Sequence, residues 1–261
     1  MSEIWSIILT NVVVFVMVLA RTTGIFTFNP IFSRRGIPNS YKAGMSLVLA
    51  AVMTAGGDFN YTMPSGLFPF VFDFGKELLV GAVLGFLVNL MLQVFSFAGE
   101  VIDMQIGLTM AKSYDPTFGS AGIATQYYSL WFMTYFFVVG GHKSYISLCA
   151  MSYESIPLGW TGLDIDVFRL LVFYFESVIT LGVKLAMPII AAELITEFCI
   201  GIMMKAVPTI HVFVLNIQLK MMVGFVVLVA SAGVTAEFMD KLMSIMFENL
   251  NGIMHRFLVG G

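Results

Sequence analysis

The stretch ELLVGAVLGFLVNLMLQVFSFAG, residues 77–99, decides the fold class. After Glu77 it carries no charge until Glu100, and its apolar run over 78–98 is long enough to cross a bilayer core, which takes about 20 mainly apolar residues. Gly81 and Gly85 form a GxxxG pair, a spacing that lets two helix backbones approach closely. Glu77, Gly81, Gly85, Asn89 and Gln93 recur at intervals of four, so they form a small-and-polar stripe that drifts slowly around the helix. That face is expected to pack against protein, either another helix of the chain or a neighbouring subunit.

Outward from this segment, further apolar runs fall near 4–28, 43–56, 124–140, 168–200 and 211–236, which makes six in all. The runs over 43–56 and 124–140 reach spanning length only by borrowing from their flanks. Pro64, Pro69 and Pro188 leave room for broken or re-entrant segments, a backbone tolerated at membrane depth only inside protein or beside water. The expected fold is all-α, a multi-helix integral membrane protein read as one membrane domain over 1–261, with no water-facing domain of ordinary size. The N-terminal run has Glu3 where a signal peptide carries positive charge, so it reads as a retained membrane segment.

Hydrophobic residues make up 59% of the 261 positions and charged ones 11%, against about 25% charged in soluble domains. Arg21, Glu77, Glu176, Lys184, Glu193, Glu197 and Lys220 nevertheless lie in or at the edge of the apolar runs. Charges there are costly against lipid, so they should face other protein, water or each other. Glu193 and Glu197 stand four apart on one helical face and repel if both ionise. A cation such as Lys184, a retained proton or a wet face would each relieve them; an interface pair is preferred over a proton relay.

The net charge of −3 and the thin scatter of Lys and Arg argue against a nucleic-acid surface. His142, His211 and His255 are far apart, with no metal-ligand spacing, and the sequence holds no GxSxG, Walker loop or GxGxxG. No enzyme, metal or cofactor is expected. Cys149 and Cys199, both in apolar surroundings, make no disulfide framework. Residues 29–42 hold Arg34, Arg35 and Lys42, the densest positive cluster, which the positive-inside rule places in the cytoplasm.

The connection over 99–122, GEVIDMQIGLTMAKSYDPTFGSAG, is long and Gly-rich, and a loop of that length is more often functional than filler. Met104, Leu108, Met110, Tyr114 and Phe118 place apolar side chains in it without an obvious core, as a hydrophobic plug would. Residues 152–167, with Glu154, Asp164 and Asp166, read as a solvated turn.

Four stretches together resemble the FliR family of flagellar export-gate proteins, whose counterpart in virulence secretion is called SctT. They are LARTTGIFTFNPIFSRRGIP (19–38); ELLVGAVLGF with AGEVIDMQIGLTMAKSYDP (77–86 and 98–116); GGHKSYISLCAMSYESIPLG (140–159); and KLAMPIIAAELITEFCIGIMMKAVP (184–208) running into VFVLNIQLK (212–220). Lys205 stands where many relatives have Arg, and Pro208-Thr-Ile-His211 where they have Pro-Gln-x-Asn. Lys keeps the charge without the planar fork of Arg.

The resemblance implies a non-enzymatic, cofactor-free, pore-forming subunit of the type III export gate in the bacterial inner membrane, at the flagellum basal body. FliP-like and FliQ-like chains would be its partners, FlhB and FlhA its neighbours, and unfolded flagellar proteins its cargo. It further implies that 107–122 acts as a plug, with Gly107, Leu108, Met110, Tyr114, Phe118, Gly119 and Gly122 as its residues. Arg21, Glu77, Gly81, Gly85, Glu193, Glu197 and Lys205 are expected in helix packing or subunit contact. The alternatives are a virulence export gate and a proton-coupled small-solute transporter built on Glu193, Glu197 and Lys184.

Overall fold

The computed structural model describes residues 2–29, 38–57, 59, 61, 64, 66–109, 122–159, 165–206 and 212–259. Every regular element among them is a helix: α1 Ser2–Phe28, α2 Asn39–Gly56, α3 Leu67–Ile106, α4 Ile123–Val138, α5 Gly141–Ser155, α6 Ile165–Ala206, α7 Val212–Ala230 and α8 Ala232–Val259. Apolar residues with straight or branched chains fill their interiors. Pro is confined mostly to edges: Pro38 precedes α2, Pro69 lies in the first turn of α3 where its missing N–H costs nothing, and Pro64 lies outside the helices. Among the described residues Pro188 alone sits in a helix interior, and α6 continues through it.

Three described helices are long and apolar enough to cross a membrane: Asn11–Phe28 within α1, Leu67–Ile106 and Arg169–Ala206. A fourth span results if Leu215–Ala230 and Ala232–Gly252 are taken together, although the pair is bent by 58°. The protein is thus a helical membrane protein. Of the six sequence segments, those near 43–56 and 124–140 are the shortfall. α4 has 16 residues, and α2 spends its first turn on Asn39, Ser40, Tyr41 and Lys42. The sixth segment breaks inside, at Ser231, where a Ser and Gly233 flank the bend, the residue types at which helices kink. The 40 residues of α3 and 42 of α6 extend about 60 Å each at 1.5 Å per residue, twice the hydrocarbon core.

The chain packs as two compact units, residues 1–90 with 140–174 and 245–261, and residues 91–139 with 175–244. In the first, α1 and α2 lie side by side. The core gathers Val14, Met17, Val18, Ala50, Tyr61 and Tyr153, flanked by Phe59, Phe70 and Phe74. Thr22 is fully buried and reaches across to α2, its hydroxyl 3.2 Å from the Ser46 carbonyl oxygen. Cys149 is free and buried here, and burial pushes its thiol up to about 12, so it packs as an inert small hydrophobe. In the second, the later half of α3 packs against α4 through stacked Phe95 and Phe132, with ring centroids 4.5 Å apart. It approaches α6 at Gly182, where an added Cβ would lie 2.6 Å from Phe97, and α7 at Gly224, where it would lie 2.5 Å from Ile106. Cys199, by contrast, is exposed on α6.

Candidate functional site

Arg21 on α1 and Glu77 on α3 meet inside the first unit. Both are buried, at 0% and 2% exposure, and Arg21 Nε donates to Glu77 Oε2 at 2.7 Å. The two other guanidinium nitrogens donate to the Ser152 carbonyl at 2.8 Å and the Ile156 carbonyl at 2.9 Å, so Arg21 caps the C-terminal end of α5. Its carbon lies 4.4 Å from the centre of the Tyr153 ring, a cation–π placement. Tyr153 stays a neutral phenol, held up by burial, and donates to the Val18 carbonyl at 3.1 Å. Glu77 Oε1 accepts the Gly159 N–H at 3.1 Å, and Gly159 takes φ +76°, a conformation suited to glycine. Tyr61 donates to Asp73 one helical turn away from Glu77, at 3.0 Å. What the cluster does chemically is neutralise two buried charges against each other while tying α1, α3 and the end of α5 into one joint.

The stripe on α3 makes that joint possible. A Cβ on Gly81 would collide with the Arg21 carbonyl oxygen, and one on Gly85 would lie 2.6 Å from the Ile25 carbonyl oxygen. Gly24 on α1 answers from the other side, since its Cβ would collide with the Leu78 carbonyl and approach Ala82 N to 2.8 Å. The GxxxG pair therefore packs helices of this chain, which decides between the two readings left open by the sequence. Along the stripe, Gly81 and Gly85 are buried, Asn89 is half-buried and Gln93 exposed, the drift expected of a four-residue interval.

A second arrangement lies in the other unit. α3 runs on to Ile106, so residues 99–106, expected as loop, are helix, and Met104 is exposed on it. Gly107 ends the helix with φ +85°, the left-handed position that terminates helices. Asp103, fully buried, turns toward α4. Its Oδ1 accepts the Ala124 N–H at 3.0 Å, and its Oδ2 accepts the Thr125 N–H at 3.3 Å and the Thr125 hydroxyl at 2.9 Å. The N-cap of α4 is Gly122, which has no side chain to offer, so Asp103 serves as the cap from another helix. A carboxylate there also faces the positive end of the helix dipole, worth about 0.3–1 kcal/mol and up to ~2 when partly buried. Gly122 is required, because a Cβ would run into that carboxylate. The two ends of the 107–122 segment are thereby tied together at its neck. Of the residues expected in the plug, Leu108 is buried, Gly107 and Gly122 are the neck, and Met110, Tyr114, Phe118 and Gly119 lie outside the described residues.

The remaining expected residues divide. Glu193 on α6 is fully buried, while Glu197 one turn on is about half exposed and pairs with Lys220 of α7. The cation beside Glu197 is thus Lys220, brought up by the antiparallel run of α6 and α7; Lys184 and Glu176 are exposed elsewhere on α6. Lys205 is exposed in the last turn of α6, where a cation suits the negative end of the helix. The sequence reading missed residues 152–159. Treated as a solvated turn, they supply the Ser152 and Ile156 carbonyls and the Gly159 N–H of the charge joint. Backbone groups leave no trace in residue type; the sole local signal was Gly159.

The chain is 25% identical over 242 residues to the flagellar biosynthetic protein FliR of Escherichia coli K12, covering 90% of each chain. It is 22% identical to FliR of Bacillus subtilis strain 168, covering 92% of this chain and 94% of that one. It is 25% identical to the surface presentation of antigens protein SpaR of Shigella flexneri, over 82% of this chain and 84% of that one. The family model of the bacterial export proteins, family 1, matches residues 12–246, a stretch that takes in Arg21, Glu77, Gly81, Gly85, Asp103, Glu193 and the neck of the 107–122 segment alike. Since that match runs through both packed units and nearly the whole chain, this protein belongs to family 1 of the bacterial export proteins.

Proposed function

We propose that this chain is a non-enzymatic subunit of a flagellar type III export gate, which assembles with FliP-like and FliQ-like chains into a pore for unfolded flagellar proteins. The observation that carries the reading is the near full-length similarity to proteins named for flagellar biosynthesis. The architecture supports it. α3 and α6 are about twice the length a crossing needs, and only 33% of the residues in the most apolar stretch of α6 are buried by its own chain. That uncovered side carries Glu176, Lys184 and Glu197 among Val172, Phe175, Ile179, Leu194 and Ile195, and ionised side chains facing lipid cost about 2.5–3.5 kcal/mol each at mid-depth. Neighbouring subunits are the cheaper cover. The gate sits in the inner membrane at the flagellum basal body, with FlhB and FlhA beside it.

Deletion of the gene in its own host tests this. Flagellar hook and filament proteins should disappear from the medium while remaining in the cells, and the restored chain should return them. Loss of virulence effectors with flagellar export intact would move the chain to the other branch, represented by SpaR. Undiminished export of both kinds would overturn the proposal and leave a solute transporter.

Within this gate the 107–122 segment is the plug, Gly107 and Gly122 its neck, and Asp103 the residue that holds the neck shut.

A further inference from the structure

Glu193 lies inside the membrane-length part of α6, with 0% exposure, and neither carboxylate oxygen has a hydrogen-bond partner among the described residues. Its surroundings are particular. Oε1 rests against Gly224 of α7, where an added Cβ would lie 3.1 Å away, and the same glycine faces the Ile106 side chain of α3. The charged groups that act on it are Glu197 on its own helix and Lys220 on α7; α3 presents the apolar Ile106. Lys220 is already committed to Glu197, so the cluster of two carboxylates and one ammonium is left one positive charge short.

A buried carboxylate without donors is far too costly to keep as an anion, since desolvation of the charge is met in practice by neutralisation. An ionic partner from outside cannot reach a fully covered side chain without opening the α6–α7 pair. A proton can. We propose that Glu193 is a proton-binding site of the folded chain, occupied while α6 and α7 are closed over it. Releasing the proton places a second negative charge one turn from Glu197, which is relieved only if Lys220 leaves Glu197 or the two helices separate. The site therefore couples proton occupancy to the packing of the α6–α7 pair. Gly224 belongs to it, because a side chain there would crowd the carboxyl and collide with Ile106. This inference does not depend on what the complex transports.

The test is infrared difference spectroscopy on the full chain in its native complex at neutral pH, wild type against Glu193→Gln. The expected result is a carboxylic-acid carbonyl band, sensitive to deuterium exchange, that is present in wild type, lost in Glu193→Gln and retained in Glu197→Gln. Glu193→Gln should also be recovered at the wild-type level, because a neutral side chain of the same size replaces a neutral acid. The proposal is overturned by a difference spectrum showing ionised carboxylate bands in place of the acid band, or by failure of Glu193→Gln to assemble while Glu193→Asp, which keeps the carboxyl group, does assemble. A Glu193→Gln chain that fails together with Glu193→Asp would overturn it as well, since the site would then depend on shape and not on a proton.

Discussion

Gly81→Ala is expected to eliminate recovery of the folded chain, although it adds one methyl group. The new Cβ points at the Arg21 carbonyl oxygen and Ile25 nitrogen, backbone atoms that have no rotamer by which to withdraw. Overpacking by a methylene typically costs about 1–3 kcal/mol where side chains can adjust. Here α1 must move as a body, and Arg21, which leaves from the same residue that is struck, is pulled away from Glu77. Gly75→Ala supplies the control on the same helix, because nothing lies within 4 Å of the added Cβ there. It should be recovered from membranes in the amount found for wild type. Equal recovery of the two variants would contradict the close α1–α3 packing.

Glu77→Ala is the second large effect. It leaves the Arg21 guanidinium buried and uncompensated and strips the Gly159 N–H of its acceptor. Removing one partner of a buried pair costs about 3–5 kcal/mol, roughly two to nearly four orders of magnitude in the folding equilibrium. The double variant Arg21→Met with Glu77→Leu removes the stranded charge and should recover part of that loss, since apolar replacements of buried pairs are often neutral. Recovery should stay incomplete, because the Ser152 and Ile156 carbonyls lose their donors. Rates of thermal inactivation of the purified chains report the order wild type, double variant, Glu77→Ala. A double variant as labile as Glu77→Ala would show that the charge itself is unimportant.

What could be read from the sequence was what repeats along a single helix. The interval of four gave the packed face of α3 from Glu77 to Gly85, beyond which it drifts out to the exposed Gln93, and the cost of charge in apolar runs singled out Arg21, Glu77, Glu193 and Glu197. Partnerships across the chain were not legible. Arg21 and Glu77 are 56 residues apart, Asp103 caps a helix that begins twenty residues later, and Lys220 reaches Glu197 only because α6 and α7 run antiparallel. No periodicity encodes such pairings. Proline and serine misled in opposite directions: Pro188 raised a break that α6 does not make, whereas the bend at Ser231 lay inside a run whose apolar content concealed it. The helix over 99–106 was hidden by Gly99, which looks like a loop residue but is there because α4 packs against it at Thr125. The resemblance to FliR proteins, resting on motifs rather than on periodicity, held over 90% of the chain.

The proposed export pore, closed by the 107–122 segment, should reveal itself in ion flux. Cells should be supplied with the chain together with the FliP-like and FliQ-like chains proposed to assemble with it, in wild type, in a version shortened within 110–121, and with Asp103→Ala, which removes the carboxylate that caps α4. Assembly is first verified by co-purification. The wild-type complex should be tight, the shortened complex should pass ions freely, and Asp103→Ala should give an intermediate leak. An assembled complex that stays tight with the segment shortened would contradict it.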